Sequence, residues 1–240
     1  MDFRHEYKFI ISIPQSLILQ SRMAEIMKRD VHSGQSGSYE IRSIYFDDIN
    51  NTCYIQNEAG TDPRAKYRIR CYNASDERIV LEKKIKQNGM TKKLHEDLSK
   101  EQYRMLTSFS MGADGTGLPG AIGEMDSSFF EQPPLVQELL SLKQMRMMQP
   151  KVIVAYERTP FIEEAGNVRV TFDDRISSSA DFEGFFKEKL HKRPVMPVGE
   201  TLMEVKFDEF LPAYIKEALE LGRLSQTTFS KYYLCRRYSL

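Results

Sequence analysis

No stretch of this 240-residue sequence stays apolar for anything near the roughly 20 residues that a membrane-spanning helix needs. The N-terminal run MDFRHEYKFIIS is charged from its second residue, unlike a secretory leader. Cysteine is scarce: Cys53, Cys71 and Cys235 lie far apart and form no C-x-x-C pair, so neither a disulfide framework nor a zinc site is suggested. These absences predict a soluble cytoplasmic protein with no membrane segment of its own. Net charge is lacking too, with 34 Lys and Arg against 34 Asp and Glu. Any basic site must therefore be local, which argues against a general nucleic-acid binder. The glycine-rich segment MGADGTGLPGAIGEMDSS (111–128) has no G-K-[ST] and follows a helix pattern rather than a strand, so it is no P-loop. His5, His32, His95 and His191 form no recognisable ligand pair, and Ser36 and Ser38 in HSGQSGS lack the context of a nucleophile elbow.

What is present is strand. With 41% hydrophobic residues the chain can pack a core. Eight segments alternate or are rich in β-branched and aromatic residues: 3–13, 40–46, 65–72, 78–86, 91–97, 151–159, 167–173 and 201–207. Asn88-Gly89 between the fourth and fifth, and EEAGN (163–167) between the sixth and seventh, predict antiparallel hairpins because their residues tolerate positive φ. Helices are expected at Pro14 to Lys28, with proline in the first turn, and at Ser99 to Phe109, where Ser99 and Gln102 have capping-box spacing. Further helices are expected at 134–148, 212–222 and 227–236. No internal repeat or linker divides the chain, so one domain over residues 1–240 is expected.

Side chains alternate between the faces of a strand, and applying that rule separates charge from apolar groups. In AKYRIRCYN (65–73), Lys66, Arg68 and Arg70 share one face while Tyr67, Ile69 and Cys71 share the other. Arg4, Glu6 and Lys8 oppose His5, Tyr7 and Phe9; Glu82, Lys84 and Lys86 oppose Ile79, Leu81 and Ile85. Downstream, Tyr156 aligns with Arg158; Arg169, Thr171 and Asp173 oppose Val168, Val170 and Phe172; Glu204 and Lys206 oppose Met203, Val205 and Phe207. In a sandwich such polar faces would meet water. A closed barrel of eight antiparallel strands offers the other arrangement, with helices on its apolar outside and the charged faces turned inward around a polyanion.

The motifs R-H-E-Y-K (4–8), S-I-Y-F-D (43–47), K-Y-R-I-R (66–70), L-E-K-K (81–84), Y-E-R-T-P-F (156–161), R-V-T-F-D (169–173), M-E-V-K-F (203–207) and F-S-K-Y (229–232) occur in that order. As a set they resemble the polyphosphate polymerase (VTC) domain within the CYTH-like triphosphate tunnel metalloenzymes. The resemblance covers nearly the whole chain. It implies a β-dominated α+β fold, an eight-stranded antiparallel closed barrel with helices packed outside. The implied activity is transfer of the γ-phosphoryl group of ATP to a growing polyphosphate chain, with Mn²⁺ or Mg²⁺.

Carried over by residue, the resemblance makes Lys8, Arg68, Arg70, Lys84, Arg158, Arg169, Lys206 and Lys231 phosphate contacts, Glu204 the metal carboxylate, and Tyr156 and Ser230 neutral hydrogen-bonding partners. The side-chain chemistry suits these roles. Arginine presents a planar fork to two phosphate oxygens, lysine is a movable point charge, and Mg²⁺ is often held by one carboxylate together with phosphates and waters. Glu6 and Glu82 either add to the metal site or pair with neighbouring cations. Lys92 and Lys93 both suit the fifth strand's inner position. The E-x-E-x-K opening of the wider superfamily is replaced by Arg4-x-Glu6-x-Lys8, as in polymerase-type members. Such transfer needs no protein nucleophile, because a terminal polyphosphate oxygen can itself attack the ATP γ-phosphorus. Three readings remain open: polymerase, hydrolase of tripolyphosphate or nucleoside triphosphates, and a polyphosphate-binding module without turnover. Any export role would need a separate membrane partner.

Overall fold

The alternating segments pair as antiparallel strands. The structure, a computed structural model, describes residues 4–34, 36–108, 127–222 and 224–238, apart from the side chains of 127 and 128. In chain order the elements are β1 (His5–Ser12), α1 (Ile13–Ile26), β2 (Lys28–Arg29), β3 (Tyr39–Asp47), α2 (Thr52–Glu58), β4 (Arg64–Tyr72), β5 (Ser75–Gln87) and β6 (Met90–Leu98). There follow α3 (Lys100–Thr107), α4 (Ser127–Phe130), α5 (Pro134–Arg146), β7 (Gln149–Glu163), β8 (Val168–Ser179), β9 (Arg193–Pro194), β10 (Glu200–Phe207), α6 (Ala213–Leu219) and α7 (Lys231–Arg237). All eight expected strands are present, and β2 and β9 add two residues each. The glycine-rich loop expected over 111–128 lies outside the described residues except at its end, where α4 begins. Among the described residues no helix is long and apolar enough to cross a membrane.

Local chemistry sets the boundaries. Ser12 and Ser99 form capping boxes with Gln15 and Gln102, which fix the starts of α1 and α3. Asn88 and Gly89 both take positive φ (52° and 76°), and the Asp62 carboxylate accepts from both backbone N–H groups, so β5 returns as β6 through two residues. The β7–β8 turn uses Gly166 and Asn167 in the same way, at φ 71° and 49°. Helix α7 starts later than the expected 227, because Ser230 is extended and its hydroxyl accepts from the Tyr233 N–H as an N-cap.

The sheet order is β1-β10-β8-β7-β3-β4-β5-β6, antiparallel throughout, with β2 added to β7 and β9 to β8. It curls until its edges approach, yet the expected closed barrel is not what the ladder forms. Edge strands β1 and β6 meet at a single bridge between Arg4 and Thr91, so the sheet is an open curled half-barrel. Beyond that bridge the contact is between side chains, with Lys84 of β5 reaching Glu6 of β1.

Opposite residues in antiparallel strands share a face, and the register separates the two sides cleanly. Outside, one core packs Ile44, Tyr67, Ile69, Leu81 and Ile153 against Leu106 of α3 and Leu135 and Leu139 of α5. A second packs Phe161, Val170, Phe172, Met203 and Val205 against Leu19 and Met23 of α1 and Ile215 of α6. Not every helix lies outside, however. Tyr39, Ile41, Tyr45, Val152, Val154, Tyr156 and Leu202 face inward, and α7 covers them with Tyr232 and Cys235. Tyr232 stacks on Tyr45 at 5.0 Å between ring centroids, and its hydroxyl donates to buried Asp47. Part of the inner face is thus an apolar seat for a helix, which the charge pattern alone did not foresee.

Candidate active site

The rest of the inner face is charged. Register places Lys8 opposite Glu204, Lys206 opposite Glu6 and Arg169, Arg68 opposite Glu82, and Lys84 opposite Lys66 and Lys93. Arg70 and Arg158 lie on the same face, and Lys231 reaches it from the first turn of α7. The ten cations here share the space with Glu6, Glu82, Asp173 and Glu204, and with Asp30 reaching in from the turn after β2. Cations outnumber carboxylates two to one, so the carboxylates cannot neutralise the face.

Each carboxylate ties several strands together. Glu204 lies 2.6 Å from both Lys206 and Lys231, 3.6 Å from Arg158 and 4.0 Å from Lys8. Asp173 takes both arms of Arg158, at 2.6 and 2.7 Å, and also Lys231 at 2.6 Å. Glu82 holds Arg68 at 2.6 Å, Lys93 at 2.8 Å and Arg70 at 3.6 Å. Glu6 joins Lys84 at 2.8 Å, Lys206 at 3.5 Å and Lys8 at 3.9 Å. Burial alone would raise these carboxyl pKa values, but the surrounding cations outweigh it. Lys206, Lys231, Lys8 and Arg158 hold Glu204 well below the usual range; Arg68, Arg70 and Lys93 do so for Glu82; Lys84, Lys8 and Lys206 do so for Glu6. All three are anionic at neutral pH.

The lysines respond differently from the arginines. Burial, with repulsion from Lys8 and Lys206, lowers Lys84 to about 8 although Glu6 pulls the other way. Lys66 is held well below the ordinary lysine value, first by burial and then by Lys84, Arg64 and Lys8. Among the described residues its ammonium bonds neutral partners, Asn57 and the Ser230 hydroxyl at 3.2 Å, and it sits 5.1 Å above the Tyr232 ring. Arg68 and Arg158 remain charged, since Glu82 and Asp173 offset the cost of burial.

The structure brings together all the site residues named from the sequence. Tyr156 is buried and offers its ring to Arg158 at 5.2 Å and Lys231 at 4.9 Å. Arg169 donates to Asp30 at 2.7 Å and to the Tyr39 hydroxyl at 3.0 Å. Lys93 faces inward opposite Lys84, whereas Lys92 lies opposite Ile85 on the outer face. The two-residue turn settles that choice, because counting back from Gln87 and on from Met90 pairs residue 84 with 93. Glu6 and Glu82 are both paired with cations. Lys66, Asp173, Tyr45 and Ser43 complete the face without having been assigned roles; Tyr45 accepts from Arg68 at 2.7 Å and Ser43 from Arg70 at 3.5 Å. Strand alternation had already put Lys66 and Asp173 on the charged faces, and only their contacts were hidden.

The VTC domain model matches residues 3–239, and the chain belongs to that family. Among solved structures it is similar to HpAC1 from Hippeastrum, named for adenylyl cyclase and described with a dominant triphosphatase activity. That likeness has a TM-score of 0.56 at 12% identity and covers 100% of this chain and 97% of the other, which speaks to fold alone. A Bacillus halodurans protein named for adenylate cyclase is more distant, with TM-score 0.42, 14% identity and coverage of 90% and 86%. No curated protein matches the chain.

Proposed function

We propose that the chain is a single triphosphate tunnel domain that acts as a polyphosphate polymerase, moving the γ-phosphoryl group of ATP onto a polyphosphate end. The observation that carries this reading is the cluster on the inner face: among the described residues, the ten cations named above, from seven strands and α7, stand against five carboxylates. Burying that excess positive charge is costly unless a polyanion completes it. Arg68, Arg70 and Arg158 are pre-oriented by Glu82 and Asp173 and would grip phosphoryl oxygens in pairs. Lys8, Lys84, Lys206 and Lys231 supply mobile charge on the remaining sides, with Arg169, Tyr156 and Ser230 at the flanks. No side chain need act as nucleophile. Holding donor and acceptor phosphates in line and neutralising the transferred group is the main catalytic requirement.

The donor set fits a divalent ion that shares its shell with substrate. Among the described residues no three His, Cys, Asp or Glu side chains cluster, so the protein offers no complete cage. Glu204 and Glu6 nevertheless converge on Lys206, and one or two carboxylates plus phosphate oxygens are a usual Mg²⁺ or Mn²⁺ environment. Glu204, the more buried, and Glu6 would hold the ion, whose contribution when bound would be to neutralise phosphate charge.

Hydrolysis in the same face is the second reading, favoured by the triphosphatase activity described for the Hippeastrum protein. Incubating the protein with ATP and Mn²⁺ and separating the products decides between them. Polyphosphate chains longer than the substrate support polymerisation; free phosphate as the sole product overturns it in favour of hydrolysis. Neither product would leave a binding module.

A further inference from the structure

Thr171 lies within this face. It stands in β8 directly opposite Glu204 of β10 and Pro160 of β7. The residue is fully buried, yet among the described residues its hydroxyl oxygen has no hydrogen-bond partner. Pro160 has no N–H to offer, and the Glu204 carboxylate accepts from Lys206 and Lys231. Two residues back on the same face, Arg169 repeats the pattern: Nη2 is held by Asp30 and Tyr39, while the buried Nε has no partner.

Buried polar groups are rarely left unpaired, and a lone one costs more than most hydrogen bonds return. Here one orphan is a hydroxyl and the other can only donate. Lys206 stands opposite Arg169, and Lys206 and Arg158 both lie within 4 Å of the Glu204 carboxylate opposite Thr171, so the missing partner on this cationic face is an acceptor with negative charge. We propose that Thr171 is a further substrate-binding residue whose hydroxyl donates to a phosphoryl oxygen lying along β8 between Arg169 and Glu204. The proposal rests on the phosphate reading of the inner face. A neutral donor suits this position, because another cation would be drawn to Glu204 and a carboxylate would repel the substrate.

The test combines thermal unfolding of the ligand-free protein with calorimetric titration of tripolyphosphate, once in EDTA and once with Mg²⁺, on wild type, Thr171→Val and Thr171→Ser. Valine keeps the shape and deletes the orphaned hydroxyl. Its ligand-free midpoint should rise by about 2 °C, while tripolyphosphate binding weakens about tenfold. Serine should bind within about twofold of wild type. The proposal is overturned if the valine variant binds as tightly as wild type. It is also overturned if that variant is less stable without ligand, since the hydroxyl then has a protein partner. A loss of affinity seen only with Mg²⁺ present overturns it too, by placing the hydroxyl on the metal's hydration. A wild type that binds no tripolyphosphate contradicts the phosphate reading itself, which is a separate result.

Discussion

At the scale of single residues, Glu204 has two identities to separate, metal ligand and counter-ion. In the ligand-free protein it is a counter-ion, 2.6 Å from Lys206 and Lys231. Glu204→Gln removes a charge and keeps the shape. Without ligand the variant should lose about 3 kcal/mol of stability, because buried cations lose their partner. Tripolyphosphate binding in EDTA should persist or tighten by about 1 kcal/mol, by screened Coulomb energy. Metal-dependent turnover should fall at least about 100-fold if the carboxylate holds the ion. Stability measured by denaturant together with turnover in Mn²⁺ checks the prediction; a destabilised variant with full turnover would leave Glu204 a counter-ion only.

Lys84 gives a second residue-scale prediction, in pH. Its folded-state pKa of about 8 lies below the ordinary 10.5, so between those values the unfolded chain binds more protons and Lys84 contributes rising stability with pH. Glu6, Glu82, Glu204 and Asp173 shift downward, so their stabilisation is present above the ordinary carboxylate range and is lost as pH falls through the lowered values. Bound polyanion should pull Lys84 back up against the influence of Lys8, Lys66, Lys93 and Lys206 around it. Binding at pH 8 should therefore take up protons, and affinity should fall between pH 7 and 9. Binding heats compared in buffers of different ionisation enthalpy will read that uptake; heats independent of buffer would contradict it.

At the scale of elements, strand register is the central quantity, and most of it was legible. The period-two pattern placed all eight strands and the faces of the strand charges apart from Lys92 and Lys93, because charged and apolar residues do not exchange faces without reversing a whole strand. Two-residue turn chemistry made the β5–β6 hairpin readable, but the choice between Lys92 and Lys93 stayed open until the strand register was in hand. Ion-pair partners were not readable, since they depend on long side chains meeting across the curled face, as Glu6 and Lys84 do. The role of α7 was hidden for a related reason: its seat consists of Tyr45, Val152 and Leu202, whose apolar character suggests an outside position. Register carries its own test. Tyr67→Ala should cost about 3 kcal/mol, since Tyr67 packs in the outer core and bonds Glu138 at 2.7 Å, and should leave tripolyphosphate affinity unchanged. Arg68→Ala should do the reverse to affinity, lowering it about 100-fold. A Tyr67→Ala protein that is stable but cannot bind would shift the whole strand by one residue.

At the scale of the whole molecule, the expectation of full closure was too strong. Twofold alternation shows that a sheet has a charged side but not how far the sheet curls, and the gap between β1 and β6 is bridged by one backbone pair and by side chains. The inner face therefore holds an excess of positive charge in a structure whose seam is partly electrostatic. An anion bound there should stabilise the fold as well as occupy the site, by an amount that grows with the logarithm of its concentration over Kd.

Thermal unfolding of the metal-free wild-type protein with increasing tripolyphosphate, at low and at high salt, tests this most directly. A site of this charge should give a midpoint that climbs steadily with ligand at low salt, climbs less as salt screens the cations, and barely moves in a protein carrying Arg68→Ala and Arg158→Ala together. A wild-type midpoint unmoved by millimolar tripolyphosphate at low salt would contradict the claim that the inner face is built for a phosphate chain.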